Sequence, residues 1–167
     1  MTITQVLKFD STTDVKLIDA RGPRFGALIT TVFLAAILVT GSLPLLIWQL
    51  GVFALGAFVG PHASPYAFIY RKFVQPRLTG DVPTEDSRPP HFAQVVGFLF
   101  ALTGTVALIL DLGAVFTVAI GMALAAAFLN AVFNFCLGCE MYLLIARAKA
   151  AVSTRKTRED SYNLPNL

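Results

Sequence analysis

The sequence predicts an all-α membrane protein with four transmembrane helices and an interfacial amphipathic helix between the second and third. Three observations predict it. The chain of 167 residues is 56% hydrophobic and only 14% charged, against about 25% charged in an ordinary soluble domain. Its few charges are clustered, so that no Asp, Glu, Lys or Arg occurs from Phe25 to Tyr70 or from Leu112 to Cys139. Charge-free apolar runs of about 20 residues read as membrane spans. Counted over four spans, all 13 Lys and Arg residues then fall on one side, and the other side carries only Asp111.

Residues 1–20 read as a polar tail with a weak apolar pattern at Val6, Leu7, Val15, Leu17 and Ile18, disordered over its first third. Asp10, Asp14 and Lys16 interrupt it, so it lacks the apolar core of a cleavable signal and is expected to be retained. Pro23 suits a helix first turn, where a missing N–H costs nothing. The first span covers 25–40, and Gly41 to Pro44 form a tight turn. The second covers 45–59, with Trp48 near its outer end, a usual interfacial position. Gly56 and Gly60 make a small-xxx-small pattern, expected to serve packing within the chain ahead of a homo-oligomer contact.

Over 65–75, Tyr66, Ile69, Tyr70, Phe73 and Val74 recur at helical spacing, with Arg71 and Lys72 off the stripe. That pattern predicts a helix lying in the membrane surface, capped by Ser64 and ended by Pro76. A polar loop runs to Pro89-Pro90, and the third span covers 92–110. The fourth covers 113–135 and is rich in Gly and Ala, as buried spans are. About 20 residues at 1.5 Å each cross the ~30 Å hydrocarbon core, which ends this span near Val132 to Phe135. One transmembrane domain, 21–146, and a basic tail, 147–167, result. The positive-inside rule assigns both termini and the middle loop to the cytoplasm. The expected partner of the spans is the lipid bilayer of the cytoplasmic membrane. Topology accounts for the basic residues, so no nucleic acid is called for.

The only two cysteines, Cys136 and Cys139, sit where the fourth span meets the basic tail. Thiols on the cytoplasmic side are mostly kept reduced, which argues against a permanent disulfide. Quinone-coupled disulfide formers usually carry their cysteines towards the oxidising side, which this topology disfavours. In an unbroken helix the two side chains share a face, yet aim poorly for an S–S bond, and Gly138 is placed to loosen the turn. Glu140 would raise a thiol pKa and the basic tail would lower it, with the sign open. Three readings stand. The pair is a redox or sulfur-handling dithiol, with His91 at the same depth as proton carrier; or Cys136 and Cys139 supply half of a zinc or iron–sulfur site that His91 and His62 complete; or two small residues pack a helix end. Asn130 and Asn134 are expected to face away from the cysteines and bond between helices, and Arg88 to pair with Glu140 at the rim. No phosphate-binding glycine loop and no Ser/His/Asp set appears, so the sequence offers no nucleotide or hydrolytic enzyme, and no cofactor is called for.

Several segments are similar to one bacterial family. Arg21-Gly22-Pro23-Arg24-Phe25, Ala54-Leu55-Gly56-Ala57-Phe58, Gln75-Pro76-Arg77-Leu78, Arg88-Pro89-Pro90-His91-Phe92-Ala93-Gln94 and Phe135-Cys136-Leu137-Gly138-Cys139-Glu140 resemble the membrane proteins catalogued as domain of unknown function 4395, common in actinobacteria. The resemblance covers residues 19–145. The family has no established activity. Its association with thioredoxin-like and sulfurtransferase-like proteins implies thiol or sulfane-sulfur chemistry and a cytoplasmic partner of that kind. The leading expectation is therefore a thiol-redox or sulfur-relay component. A small transporter component for a sulfur compound and a non-catalytic membrane scaffold are the alternatives.

Overall fold

The computed structural model describes residues 17–78 and 83–162. The expectations for the first sixteen residues lie outside them. Two helical hairpins, each introduced by a three-residue strand, make the bundle. β1 (Leu17–Asp19) leads into α1 (Arg21–Thr40) and α2 (Leu43–Phe58). A connection follows, made of a 3-10 turn (Pro61–Ala63), the short helix α3 (Pro65–Ile69), a π turn (Tyr70–Val74) and a second 3-10 turn (Gln75–Arg77). β2 (Thr84–Asp86) then leads into α4 (Arg88–Ile109) and α5 (Gly113–Phe133), and α6 (Leu137–Tyr162) closes the order.

The two hairpins start alike, and the sequence says why. Asp19-Ala20-Arg21-Gly22-Pro23 and Asp86-Ser87-Arg88-Pro89-Pro90 each end a strand on Asp and put proline in the first helical turn. In both, the Asp Oδ1 accepts the N–H of the Arg two residues on, at 2.9 Å. This supplies a partner to one of the donors that a helix start leaves open. Both spans therefore begin earlier than the sequence reading had them, because prolines that break an interior are admitted at a helix start. The strands hold the two starts side by side in antiparallel register, Leu17 opposite Asp86, Ile18 opposite Glu85 and Asp19 opposite Thr84. The N–H of Ala20 adds a bond to the Pro83 carbonyl at 2.9 Å.

Among the described residues, α1, α4 and α5 are long and apolar enough to cross a membrane, with 20, 22 and 21 residues. α2 is also apolar but has only 16 residues, about 24 Å at 1.5 Å each. α1 packs on α5, α5 on α4, and α4 on α2, while α1 and α2 meet less extensively. Gly41, at φ 61°, takes the left-handed turn that closes α1 and returns its N–H to the Ile37 carbonyl. The half of the bundle near this turn is solid. Leu34, Ile37, Leu46 and Ile120 have no exposed surface, and Ala107, Phe116 and Ala123 complete their cluster. Gly104 lets Ile120 come so close that an added Cβ would lie 2.5 Å from its Cδ1.

The segment expected to lie flat on lipid divides instead. Tyr66 and Tyr70 are 5% and 3% exposed and turn inward, whereas Ile69 and Phe73 are 39% and 50% exposed. Tyr66 donates to Gln49 Oε1 at 2.9 Å and stacks obliquely near Phe33; Tyr70 donates to Asp19 Oδ2 at 2.7 Å and lies beside Phe25. A buried glutamine and a strand-end carboxylate each needed a donor, and the two tyrosines supply them. The outer face is Phe68, Ile69 and Phe73, with Lys72 Nζ 5.7 Å from the rings of both Phe68 and Phe73. Val74 is half-buried, Arg71 and Lys72 are exposed, and Trp48 is half-exposed on α2. Ser64 is buried and makes no side-chain cap, so Pro65 alone sets the helix start.

Candidate functional site

The last apolar stretch is not one helix. α5 stops at Phe133 because Asn134 takes the left-handed conformation, φ 55°, which asparagine tolerates better than most residues. α6 begins afresh at Leu137. Cys136 thus stands at the cap position of α6, and Cys139 in its first turn. The Cys136 carbonyl accepts the first helical bond, from Glu140 N–H at 3.0 Å, and Cys136 Sγ accepts the Cys139 N–H at 3.3 Å. The two sulfurs are bonded as a disulfide, with Cα atoms 5.1 Å apart, inside the usual 4.4–6.8 Å range for such bonds. The objection that a helix aims the pair poorly fails because the first cysteine is not inside the helix.

The start of α6 is held hard against α4. An added Cβ on Gly138 would meet the Ala93 Cα and Cβ at 2.7 Å, and Phe92 and Tyr142 bring their rings to 6.0 Å. Arg24 of α1 reaches across to donate from Nε to the Ala131 carbonyl at 3.1 Å, near the C-terminal end of α5, where a cation is favoured.

Two hollows meet at this point. A polar cup of about 160 Å³ is lined by Arg24, Glu85, Asn130, Asn134, Cys136, Cys139 and Glu140, among others. A larger cavity of about 620 Å³ occupies the centre of the bundle and is walled by α1 to α6. Its lining on the spans extends to Thr30, Val52, Phe100 and Met122, each near the middle of its helix or just past it. Beyond lies the solid half. The cavity is mostly apolar, with Tyr70, Gln94 and Asn130 among its polar groups. Cys136 lines both hollows; Cys139 lines only the cup.

Several expected partners are elsewhere. His91 Nε2 donates to the Ala57 carbonyl of α2 at 2.7 Å, and lines neither hollow. It precedes Ala93 by two residues, about 200° round the helix, so it faces α2 while Ala93 faces α6. His91 is therefore not brought to the cysteines as proton carrier or as metal ligand. Among the described residues no three His, Cys, Asp or Glu side chains cluster as a metal would need. Arg88 pairs with Asp86, not Glu140, with its Nε 2.8 Å from Oδ2. A partner two residues away costs less chain ordering than a distant one. This contact holds the Asp86 carboxyl below the usual range. Asn130 and Asn134 line the cup beside the cysteines, because the helix break returns the chain towards them.

Glu85 is the residue that sequence reading missed. It lay in a loop with other charges, and nothing local marked it. Its pairing in β2 opposite Ile18 brings it to the cup, where burial, and secondarily the charge of Asp19, push its carboxyl above the ordinary range. Tyr70 is pushed up to about 12 by burial and by its bond to Asp19.

The sequence profile described as Domain of unknown function (DUF4395) matches residues 18–147. The chain belongs to the DUF4395 family. No curated protein and no solved structure matches it. The matched region contains both hairpins, the helix break and the cysteine pair, so the two hollows of this DUF4395 protein lie within the family's shared segment.

Proposed function

We propose that this protein is a thiol-redox component of the cytoplasmic membrane. It spans the bilayer four times, with α2 as the fourth span, and with both termini and Cys136–Cys139 towards the cytoplasm. The observation that carries the reading is the cysteine pair at the start of α6, open to a cup that also holds Arg24 and Glu85. A thiolate on Cys136 would be favoured by the N–H groups of the α6 start and by the Arg24 cation. Glu85, its proton held more tightly than an ordinary carboxylate's, suits a proton acceptor for the leaving or attacking thiol. The position of every Lys and Arg in the sequence supports the orientation. The exposed Phe68, Ile69 and Phe73 with Lys72 support a membrane-surface role for the 61–77 connection.

In this reading a cytoplasmic thioredoxin-like or sulfurtransferase-like protein presents a thiolate to the cup. It attacks Cys139 Sγ, the S–S bond breaks, and Cys136 leaves as thiolate. A second thiol of the partner then resolves the mixed disulfide, which leaves the Cys136–Cys139 pair reduced and the partner oxidised. The transporter alternative gains nothing from the solid half of the bundle around Leu34, Ile37, Leu46 and Ile120. The test is thiol trapping in intact membranes. The pair should move between bonded and alkylatable forms with the redox poise of the cell, and Cys136→Ser or Cys139→Ser should disturb sulfur metabolism. A pair that never changes state, with both Ser variants silent, ends the proposal. A reporter fused after Leu167 that is active only outside the cell would end the orientation.

A further inference from the structure

We propose that the central cavity holds an isoprenoid quinone, and that this quinone takes the electrons that Cys136 and Cys139 receive. The inference rests on the thiol-redox reading above and adds the second substrate. Four observations converge on it. The cavity, at about 620 Å³, lies in the size range of sites for whole organic molecules, about 300–1,000 Å³. It is walled largely by the bundle helices and is mostly apolar, with Asp19, His62, Arg71 and Gln75 at its polar end, which suits an amphiphilic occupant with an apolar body. Cys136 alone of the pair forms part of its wall. A polar donor is waiting at the same level. Gln94 follows Ala93, against which Gly138 packs, and Gln94 lines the cavity. Its Oε1 is buried against Gly56 without a hydrogen-bond partner, so this amide has hydrogen-bonding capacity that the described residues do not use.

These features fit a quinone better than other occupants. A lipid chain would need neither the sulfur nor the amide. A sulfane relay between proteins would need the cup but no large apolar chamber. A quinone needs an apolar slot for its tail, a donor for a ring carbonyl, and a two-electron donor at its edge. The sequence reading set quinone coupling aside because the thiols face the reducing side. The side of the membrane decides which thiol protein supplies the electrons, and a quinone moves freely within the apolar core.

The reaction balances. The Cys136 thiolate adds to the quinone ring, forming a C–S bond. The Cys139 thiolate then attacks Cys136 Sγ, the S–S bond forms, the C–S bond breaks, and its electron pair stays with the ring. The two thiol protons end on the two ring oxygens, with Glu85 able to hold one in transit. The dithiol is oxidised to the disulfide and the quinone reduced to the quinol. The net change, after exchange with the partner, is dithiol protein plus quinone to disulfide protein plus quinol.

The full chain, reduced and freed of reductant, is placed in phosphatidylcholine–phosphatidylglycerol vesicles under argon, with or without an isoprenoid naphthoquinone. Disulfide formation is read by maleimide mass shift and quinol by absorbance. The expected result is quinone-dependent disulfide formation with one quinol per disulfide. Gln94→Leu should raise the half-saturating quinone content about 2- to 12-fold, the worth of one neutral hydrogen bond. Ala126→Phe, which fills the cavity from α5, should abolish the quinone-dependent step while the protein stays monodisperse in gel filtration. If oxidised thioredoxin oxidises the pair but quinone does not, the quinone inference falls and the thiol reading survives. If neither oxidises it, both fall. If Ala126→Phe is as fast as the parent chain, this cavity is not the quinone site.

Discussion

Gly138→Ala tests how closely the start of α6 is held to α4. The added methyl would sit 2.7 Å from both Cα and Cβ of Ala93. Ordinary contact starts near 3.4 Å, so the two elements must part by roughly 0.7 Å, and no side-chain rotation relieves a clash with backbone. Overpacking of this kind costs about 1–3 kcal/mol. Gly121→Ala is the control, because a Cβ there meets nothing within 4 Å. Both changes gain the same ~0.5–1 kcal/mol of backbone entropy. The two variants should therefore differ by the overpacking cost alone, about 5- to 150-fold in unfolding equilibrium. Reversible urea unfolding in mild detergent measures it. The same displacement moves Cys136 relative to both hollows, so alkylation of the reduced pair should change in Gly138→Ala and not in Gly121→Ala. Equal stability and equal alkylation in the two variants would refute the close approach of α6 to α4.

Three further outcomes follow from the polar end. Tyr70→Phe removes the donor to Asp19 Oδ2 and should cost about 1.5–3 kcal/mol, the range for a bond to a charged group. Since the Tyr70 pKa is raised to about 12, its folded-state advantage is complete below about pH 10. It is lost as pH rises from there towards 12, and the alkaline slope should shrink in the variant's unfolding profile to the part that buried Tyr66, also pushed up by burial, contributes. Asn134→Val forces a β-branched residue to φ 55° and should cost about 1–2 kcal/mol, whereas Asn134→Gly should hold stability; similar losses in both would show that the left-handed turn does not matter. Glu85→Gln removes a carboxyl whose ionised form the fold disfavours, a penalty absent below its ordinary range and full above its raised value. The variant should match the parent in stability at acid pH, exceed it at neutral pH, and exchange thiols more slowly; a stability difference constant across pH would contradict the raised value.

What the sequence made legible was what one chain segment decides alone. Long charge-free runs can only be buried in lipid or protein, so the helices and the turns at Gly41 and Asp111 were readable. Helix starts were misjudged because Pro89 and Pro90 read as a stop until Asp86 is seen capping the turn they open. The stripe at Tyr66 and Tyr70 had the right spacing but the wrong destination, since hydropathy cannot tell lipid from a bundle interior containing Gln49 and Asp19. The cysteine pair was visible at once, and its position just past the end of a long apolar helix was readable. Its true setting turned on one residue, Asn134, whose left-handed φ no periodicity reports. Glu85 was illegible because only the pairing of β1 with β2, across more than sixty intervening residues, brings it to the cup.

Both sulfurs belong to one turn of chain at the start of α6, Cys136 at the cap and Cys139 just inside, which sets what opening the bond would do. A cross-link between separate helices would loosen the bundle each time it was reduced, and each turnover would carry the cost of repacking. Here the Glu140 N–H bond to the Cys136 carbonyl and the backing of Gly138 by Ala93 do not run through the sulfurs, so both are expected to outlast reduction of the link. In the proposed exchange the chain would gain and lose an electron pair as an electrode does, with its framework standing still.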